Sequence, residues 1–395
     1  MTDIDETAAI DRFMELAAIP GRSGDEAAVA AAIRGMLIAA GLPPEAVIFD
    51  EAHRQTRIAG NCGNMIVTLP GDDALPRTLL SAHMDTVPIC LGSQPQREGD
   101  RVVSPTATGL GADDRSGCAA IATAALEPLN RKDHQRLPAA VLVFFVQEEV
   151  GLEGARHLDR TLVGRVDRAF NFDGGSLDRV INGAIGGERI DIRVAGTPAH
   201  AGAAPQKGAS AAVMASIAIA DLHRRGWLGR VSQPEGFGTA NVGVIQGGEA
   251  TNVVMPEVLL AAEARSYQPL FRQRIVQEMR EAFQSAAESV KTDEGVGGRC
   301  GFQSRLDYEA FELPEDDPSV AAAIAAIRAI GRTPHIDLAG GGLDANWLFQ
   351  HGIAAATLGC GQQNIHTAAE WLDVPDYLDA CRVATRLLCG ETAFP

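Results

Sequence analysis

The stretch Val141-Leu-Val-Phe-Phe-Val-Gln-Glu-Glu149 constrains the fold most: six consecutive apolar residues run almost directly into two adjacent carboxylates, Glu148 and Glu149. A run apolar on both faces predicts a central strand of a parallel sheet, covered on each side by helices. In open α/β sheets ligands gather just beyond the carboxyl ends of such strands. The two acids therefore stand where chemistry is usually done.

The same pattern recurs along the chain. Thr78–Ala82 is followed by His83 and Asp85, Ala169–Phe172 by Asp173, and Ala354–Leu358 by a loop that carries His366. Asp113 and Asp114 end a Gly-rich loop before an Ala-rich helical stretch, where an aspartate can cap the helix. Ser23 with Glu26 three residues on reads as a capping box for an early helix. In a parallel sheet all these strand ends share one edge, which gathers two histidines and several carboxylates. That N/O donor set suits Zn²⁺, is compatible with Mn²⁺ or Co²⁺, and differs from the oxygen-only shell of Mg²⁺ or Ca²⁺.

From about Gly187 the texture changes. Ile190, Ile192 and Val194 alternate as in a half-buried strand, Gly208–Leu222 reads as a helix, and Thr239–Ile245 and Pro256–Arg265 read as strands. Leu270, Phe271, Ile275, Met279 and Phe283 fall on one helical face, and Gly301–Phe311 alternates again. The order β-α-β-β-α-β is the ferredoxin-like plan. The expected fold class is therefore α/β: a mostly parallel central sheet flanked by helices, from residues 1–186 and 313–395, with residues 187–312 inserted as an α+β domain. With 395 residues, 46% of them hydrophobic, the chain can build both cores.

Composition narrows the partners. A net charge of −17 disfavours nucleic acid and anionic membrane surfaces, and no apolar run approaches the ~20 residues of a membrane span. The seven cysteines are scattered without a C-x-x-C pair, which points to free thiols in a reducing cytoplasm rather than to a disulfide framework or a thiolate zinc site. The N-terminus lacks the basic start and apolar core of a signal peptide. Gly340-Gly-Gly lacks the lysine and hydroxyl residue of a P-loop, and reads as a tight turn lining the site.

In order and spacing, the segments SAHMDTVP, GLGADDRSG, VQEEVGLEGA, FDGG and NIHTAAEW resemble the co-catalytic dinuclear zinc exopeptidases and deacylases, the family that includes peptidase T and carboxypeptidase G. The peptidase T-like branch is the most similar in motif. This resemblance implies two divalent ions per subunit, Zn²⁺ first, with Co²⁺ or Mn²⁺ possible. It implies that His83 and Asp173 hold one ion, that His366 and Glu149 hold the other, and that Asp113 bridges them. Glu148 matches the general base that serves a metal-bridging hydroxide, and Asp85 the carboxylate that orients the His83 ring.

In the insert, His200 of Ala199-His-Ala-Gly matches the histidine that crosses a homodimer interface to steady the oxyanion. Asn252 and Arg265 match substrate-binding positions. The implied substrate is a short peptide that loses its N-terminal residue; a carboxypeptidase or an N-acyl amino acid deacylase on the same scaffold is the alternative. A non-catalytic peptide-binding or dimerisation module is the alternative of another class, and the retention of Glu148 and every ligand position weighs against it. Arg115-Ser116 departs from the Lys-Gly of many relatives without removing a ligand. His53, His134, His157, His223, His335 and His351 read as structural histidines.

Overall fold

The computed structural model describes residues 4–129 and 137–390, so His134 lies outside the described residues. Along the chain the main strands are β1 (Val47–Phe49), β2 (Met65–Leu69), β3 (Thr78–His83), β4 (Ala140–Phe145), β5 (Arg168–Phe172), β6 (Arg179–Ala184), β7 (Gly186–Ala195), β8 (Gly229–Gln233), β9 (Gly236–Gly247), β10 (Glu257–Ser266), β11 (Arg299–Tyr308), β12 (His335–Ala339) and β13 (Ala355–Leu358). The longer helices are α1 (Glu6–Ala18), α2 (Ala27–Ala39), α3 (Ala112–Leu129), α4 (Ala211–Arg224), α5 (Pro269–Ser289), α6 (Pro318–Ala329) and α7 (Val374–Cys389). They form two units: one from the residues up to Ala184 and from Glu312 onward, the other from Ile185–Phe311.

The first unit is built on a sheet of order β1-β2-β4-β3-β5-β13-β6, with β12 also beside β6. Its centre, β4-β3-β5-β13, is parallel throughout. The flanks turn antiparallel, β2 against β4 and β6 against β13. Every residue of β3, β4 and β13 is buried, as the unbroken apolar run of β4 requires, because α3 and α7 pack on β3 while α6 packs on β5 and β13. Aspartates start the helices: Asp317 accepts from Ser319 N–H at α6, and Asp373 from Asp376 N–H at α7.

Register decides what reaches the carboxyl edge. Ser81 pairs with Asn171, so two residues on, and on the same face, His83 stands level with Asp173. His83 pairs with Phe145, which leaves Glu148 and Glu149 in the turn just past that strand. Leu358 pairs with Phe172, so the loop to His366 leaves from the same edge.

The second unit is a single antiparallel sheet of order β8-β9-β10-β7-β11. Without the edge strand β8 this is the spatial order of the ferredoxin-like plan. Ile190, Ile192 and Val194 of β7 face a core completed by Met214, Ala218 and Leu222 of α4 and by Phe271, Ile275, Met279 and Phe283 of α5. Each large side chain in such a core contributes about 1.5–3 kcal/mol by leaving water.

Two expectations change, and three strands are new. Leu270 is 79% exposed; it neighbours Phe271 in sequence, about 100° round the helix, so only one of the two can face the core. Ser23 and Glu26 do not form a capping box: both side chains bond elsewhere, and the first N–H of α2, that of Ala27, donates to Asn61 Oδ1 instead. Strands β6, β8 and β12 carried no clear signal. β8 buries only Val231, and β12 buries only Ala339.

Candidate metal centre

Two groups of possible ligand side chains share one aspartate. His83, Asp113 and Asp173 form the first, and Asp113, Glu149 and His366 the second; within each, the ligand atoms lie within 4.8 Å of one another. Asp113 turns one oxygen to each group. Its Oδ1 is 3.2 Å from His83 Nε2, and its Oδ2 is 3.2 Å from His366 Nε2. His83 Nε2 is also 3.8 Å from Asp173 Oδ1, and His366 Nε2 is 3.0 Å from Glu149. Glu148 joins His83 and Glu149 in a third such group, with its Oε2 4.0 Å from His83 Nε2.

The donor chemistry fits divalent cations. His83 is buried, and its Nδ1 lies 3.1 Å from the Asp85 carbonyl, which can only accept, so Nδ1 carries the proton. A neutral ring then turns a lone pair toward the oxygens of Asp113 and Asp173, an arrangement that repels unless a cation or a second proton lies between. The titration shifts express the same crowding. Burial lifts Glu148 well above the usual carboxylate range, and Asp173, Glu149 and Asp344 add to the lift against the pull of His83. Burial likewise raises Asp173 to about 7, His83 opposing and Asp113 and Glu149 adding. Hydrogen bonds to Asp113 and Glu149 raise His366 to about 10. The four carboxylates Asp113, Glu148, Glu149 and Asp173 face two imidazoles. Two divalent ions would offset that excess of negative charge.

A frame of buried carboxylates holds these side chains through backbone N–H groups. Asp85 accepts from Glu148 N–H at 3.0 Å through Oδ1, and from Glu149 N–H at 3.2 Å through Oδ2, which also takes the Ser23 hydroxyl at 2.7 Å. Asp85 therefore ties the acidic turn to β3, besides lying 3.4 Å from His83 Nδ1. Glu26 accepts from Gln147 N–H at 3.0 Å, at a residue with φ +54° where the chain turns sharply out of β4. Asp114 accepts from His83 N–H at 3.1 Å and from Gly117 N–H at 3.0 Å, so it caps the regular part of α3 and anchors the end of β3 at once. Arg115 is buried and donates to the carbonyls of Leu16 and Gly21.

Sequence reasoning missed three residues here. Gln362 Nε2 is 3.4 Å from both Asp113 Oδ1 and Asp173 Oδ1. Asp344 is fully buried, with neither carboxylate oxygen hydrogen-bonded. Glu370 holds the backbone on both sides of Ala112. Only Glu370 had a signal, its place in the NIHTAAEW segment.

The other candidate residues lie in the second unit. His200 is exposed, and its Nδ1 accepts from the N–H groups of Gly202 and Ala203 at 3.2 and 3.1 Å, which leaves Nε2 protonated and free to donate. The Asn252 loop adjoins it: the Asn252 carbonyl accepts from Ala201 N–H at 2.9 Å, and His200 bridges to Val253. Arg265 is not brought to this pair. It sits at the far end of β10 and holds Glu263 through Nε and an Nη, both at 3.1 Å.

Fold and donor set together define a two-unit α/β protein with a candidate dinuclear metal centre at the carboxyl edge of its sheet. Residues 79–389 match the model of Peptidase family M20/M25/M40, and the chain belongs to that family, whose members are metal-dependent hydrolases of peptide bonds. Uncharacterized protein YqjE of Bacillus subtilis (strain 168) is 30% identical over 388 residues, 98% of each chain. Among solved structures, the chain is similar to aminopeptidase PepT from Bacillus cereus ATCC 10987, at 30% identity and a TM-score of 0.85, covering 98% of each chain. It is similar also to a tripeptidase from Staphylococcus aureus subsp. aureus Mu50, at 29% identity and a TM-score of 0.87, again covering 98% of each chain.

Proposed function

We propose that the protein is a zinc-dependent exopeptidase that releases the N-terminal residue of a short peptide. The observation that carries this reading is Asp113, whose two oxygens serve two histidine-centred groups at 3.2 Å each. His83 and Asp173 would hold one ion and His366 and Glu149 the other, with Asp113 common to both. Zn²⁺ suits the donors best, and Co²⁺ or Mn²⁺ would substitute. When bound, such ions lower the pKa of a bound water to roughly 7 and polarise the scissile carbonyl.

The chain's own groups do the rest. Glu148 stays outside the two groups that share Asp113, which leaves its carboxylate to take a proton from the attacking water and pass it to the leaving nitrogen. Asp85 fixes the direction of this acidic turn through the N–H groups of Glu148 and Glu149. His200, with Nε2 free to donate, is suited to the oxyanion. Asn252 is the neighbouring polar contact for substrate. Arg265 offers a fork for a terminal carboxylate, which would share or displace Glu263.

The second unit is proposed as the lid and homodimer surface, a role that its exposed Val213, Ile217, Val244 and Ile245 support. The seven free cysteines fit a reducing cytoplasm, and among the described residues no helix is long and apolar enough to cross a membrane.

The test is a panel of di-, tri- and N-acyl peptides incubated with Zn²⁺-loaded protein and read by mass spectrometry. Loss of the N-terminal residue from short peptides is expected. Loss of the C-terminal residue, or cleavage only of N-acyl amino acids, would overturn the aminopeptidase reading. Glu148→Ala should keep both ions and lose turnover by about 10²–10⁴-fold.

A further inference from the structure

Glu370, four residues after His366, and the glycines of Gly109-Leu-Gly-Ala-Asp113 have no part in the reaction described above. The structure joins them. Glu370 is buried, and its carboxylate accepts the N–H of Gly111 at 2.7 Å through Oε2 and the N–H of Asp113 at 3.0 Å through Oε1. The Cys90 thiol is a further donor, 3.5 Å from Oε2. Both glycines are required for this contact. Gly111 has φ +79°, which side chains rarely adopt, and a Cβ at Gly109 would lie 3.0 Å from Glu370 Oε2 and 2.8 Å from Cys90 Sγ. Hydrogen bonds to an ionised acceptor are roughly twice as strong as neutral ones, and removing the acceptor would strand two buried N–H groups.

The other end of Glu370 is equally fixed. Thr367 Oγ1 donates to the Asn364 carbonyl at 2.7 Å and accepts from Ala369 N–H at 3.1 Å, while Glu370 N–H reaches the Thr367 carbonyl at 3.3 Å. The strand that follows, Trp371–Asp373, pairs with Arg101–Val103. One side chain thus spans the loop that carries Asp113 and the loop that carries His366.

We propose that Glu370 is a positioning residue for the dinuclear centre: by holding the backbone at Gly111 and Asp113, it sets the direction of the shared carboxylate against His366. This rests on the reading of Asp113 and His366 as ligands. It also assigns a purpose to the glycine pattern before Asp113, one glycine giving the carboxylate room and the other turning an N–H toward it.

The test uses full-length Glu370→Gln, Glu370→Ala, Gly109→Ala and Asp113→Asn proteins, stripped of metal and checked for fold by circular dichroism. Each is titrated with Zn²⁺ by calorimetry, and with Co²⁺ by visible absorption, whose bands report ligand geometry. Glutamine keeps the shape of Glu370 but offers one oxygen where two N–H groups need acceptors. The expected result for Glu370→Gln is metal binding weaker by about 10–100-fold, a changed Co²⁺ band, and a lower kcat at unchanged KM. Glu370→Ala should lose more. Gly109→Ala, which keeps the charge and displaces the carboxylate, should shift the same way, and it decides the matter if the Glu370 variants do not fold.

Wild-type affinity and a wild-type Co²⁺ band in folded Glu370→Gln, or in Gly109→Ala if that variant must decide, would overturn the positioning role. Asp113→Asn separates the two levels. If it binds both ions as the wild type does, the reading of the centre falls and the proposal with it. If it loses them while the Glu370 and Gly109 variants do not, only the positioning role falls.

Discussion

The candidate residues of the two units are held in opposite ways. In the first unit His83, Asp113, Glu149 and Asp173 are at least largely buried, with His366, its side chain 48% exposed, as the exception, and carboxylates that grip neighbouring N–H groups fix the backbone at the sheet edge. In the second, His200 and Asn252 sit exposed on adjoining loops, and Arg265 is engaged by a single carboxylate. Binding a cation needs donors fixed before it arrives, because any ordering left over weakens the site. A group that meets a passing substrate gains from remaining open. The difference predicts which substitutions alter metal content and which alter only turnover.

The sharpest break would come from His83. His83→Ala removes the one imidazole of the first ligand group, and it should cost about one of two bound ions and roughly 10³-fold in kcat/KM, the value of several kcal/mol of lost charge stabilisation. Metal analysis beside steady-state kinetics reads both, and full metal content would remove the first unit from the comparison. His200→Ala should give the converse: metal content unchanged, with kcat lower by about 10²–10³-fold, as for loss of one oxyanion donor. A change in metal affinity there would erase the distinction between the units.

The smallest expected effect is a proton count. In the metal-free protein Asp113 and Glu149 hold His366 protonated up to about 10, well above its ordinary 6.5. That pairing contributes stability fully below pH 6.5 and loses it as pH rises through about 10. A cation needs the neutral ring, so metal uptake at pH 7–8 should release a proton, and affinity should climb with pH across this window. Titration in weak buffer with a pH indicator measures the release. His366→Ala should lower the count by about one proton and leave what Asp173, raised to about 7, still releases.

What was legible in the sequence follows the same divide. The strand ends were readable because apolar runs long enough to be buried on both faces stop at His83, Glu148 and Asp173, a contrast that hydropathy alone displays. The alternation of Ile190, Ile192 and Val194 announced the second sheet in the same way. The frame was not readable, because its carboxylates bind backbone. Ser23 and Glu26 have the spacing of a helix cap, yet they reach Asp85 and the Gln147 N–H across many residues of chain. Gln362 touches two candidate ligands from a strand of two residues, Gln362–Gln363, too short to show a period. A side chain that satisfies a distant N–H leaves no partner residue type for a sequence to betray.

The second unit also begins and ends on neighbouring strands. Gly187 of β7 lies opposite Tyr308 of β11, while in the first unit Asn182 is bonded to Leu313 through its carbonyl at 2.7 Å and its side-chain amide at 2.6 Å. To the first unit, then, the whole excursion is equivalent to a tight hairpin. Its ends are brought together by its own sheet, so the entropy of closing so long a loop is met within the insert and is not charged to the host. Replacing Ile185–Phe311 with a few glycine and serine residues is therefore a natural way to obtain the first unit alone, a single-core protein in which the ions of the candidate centre could be counted without the second unit's loops.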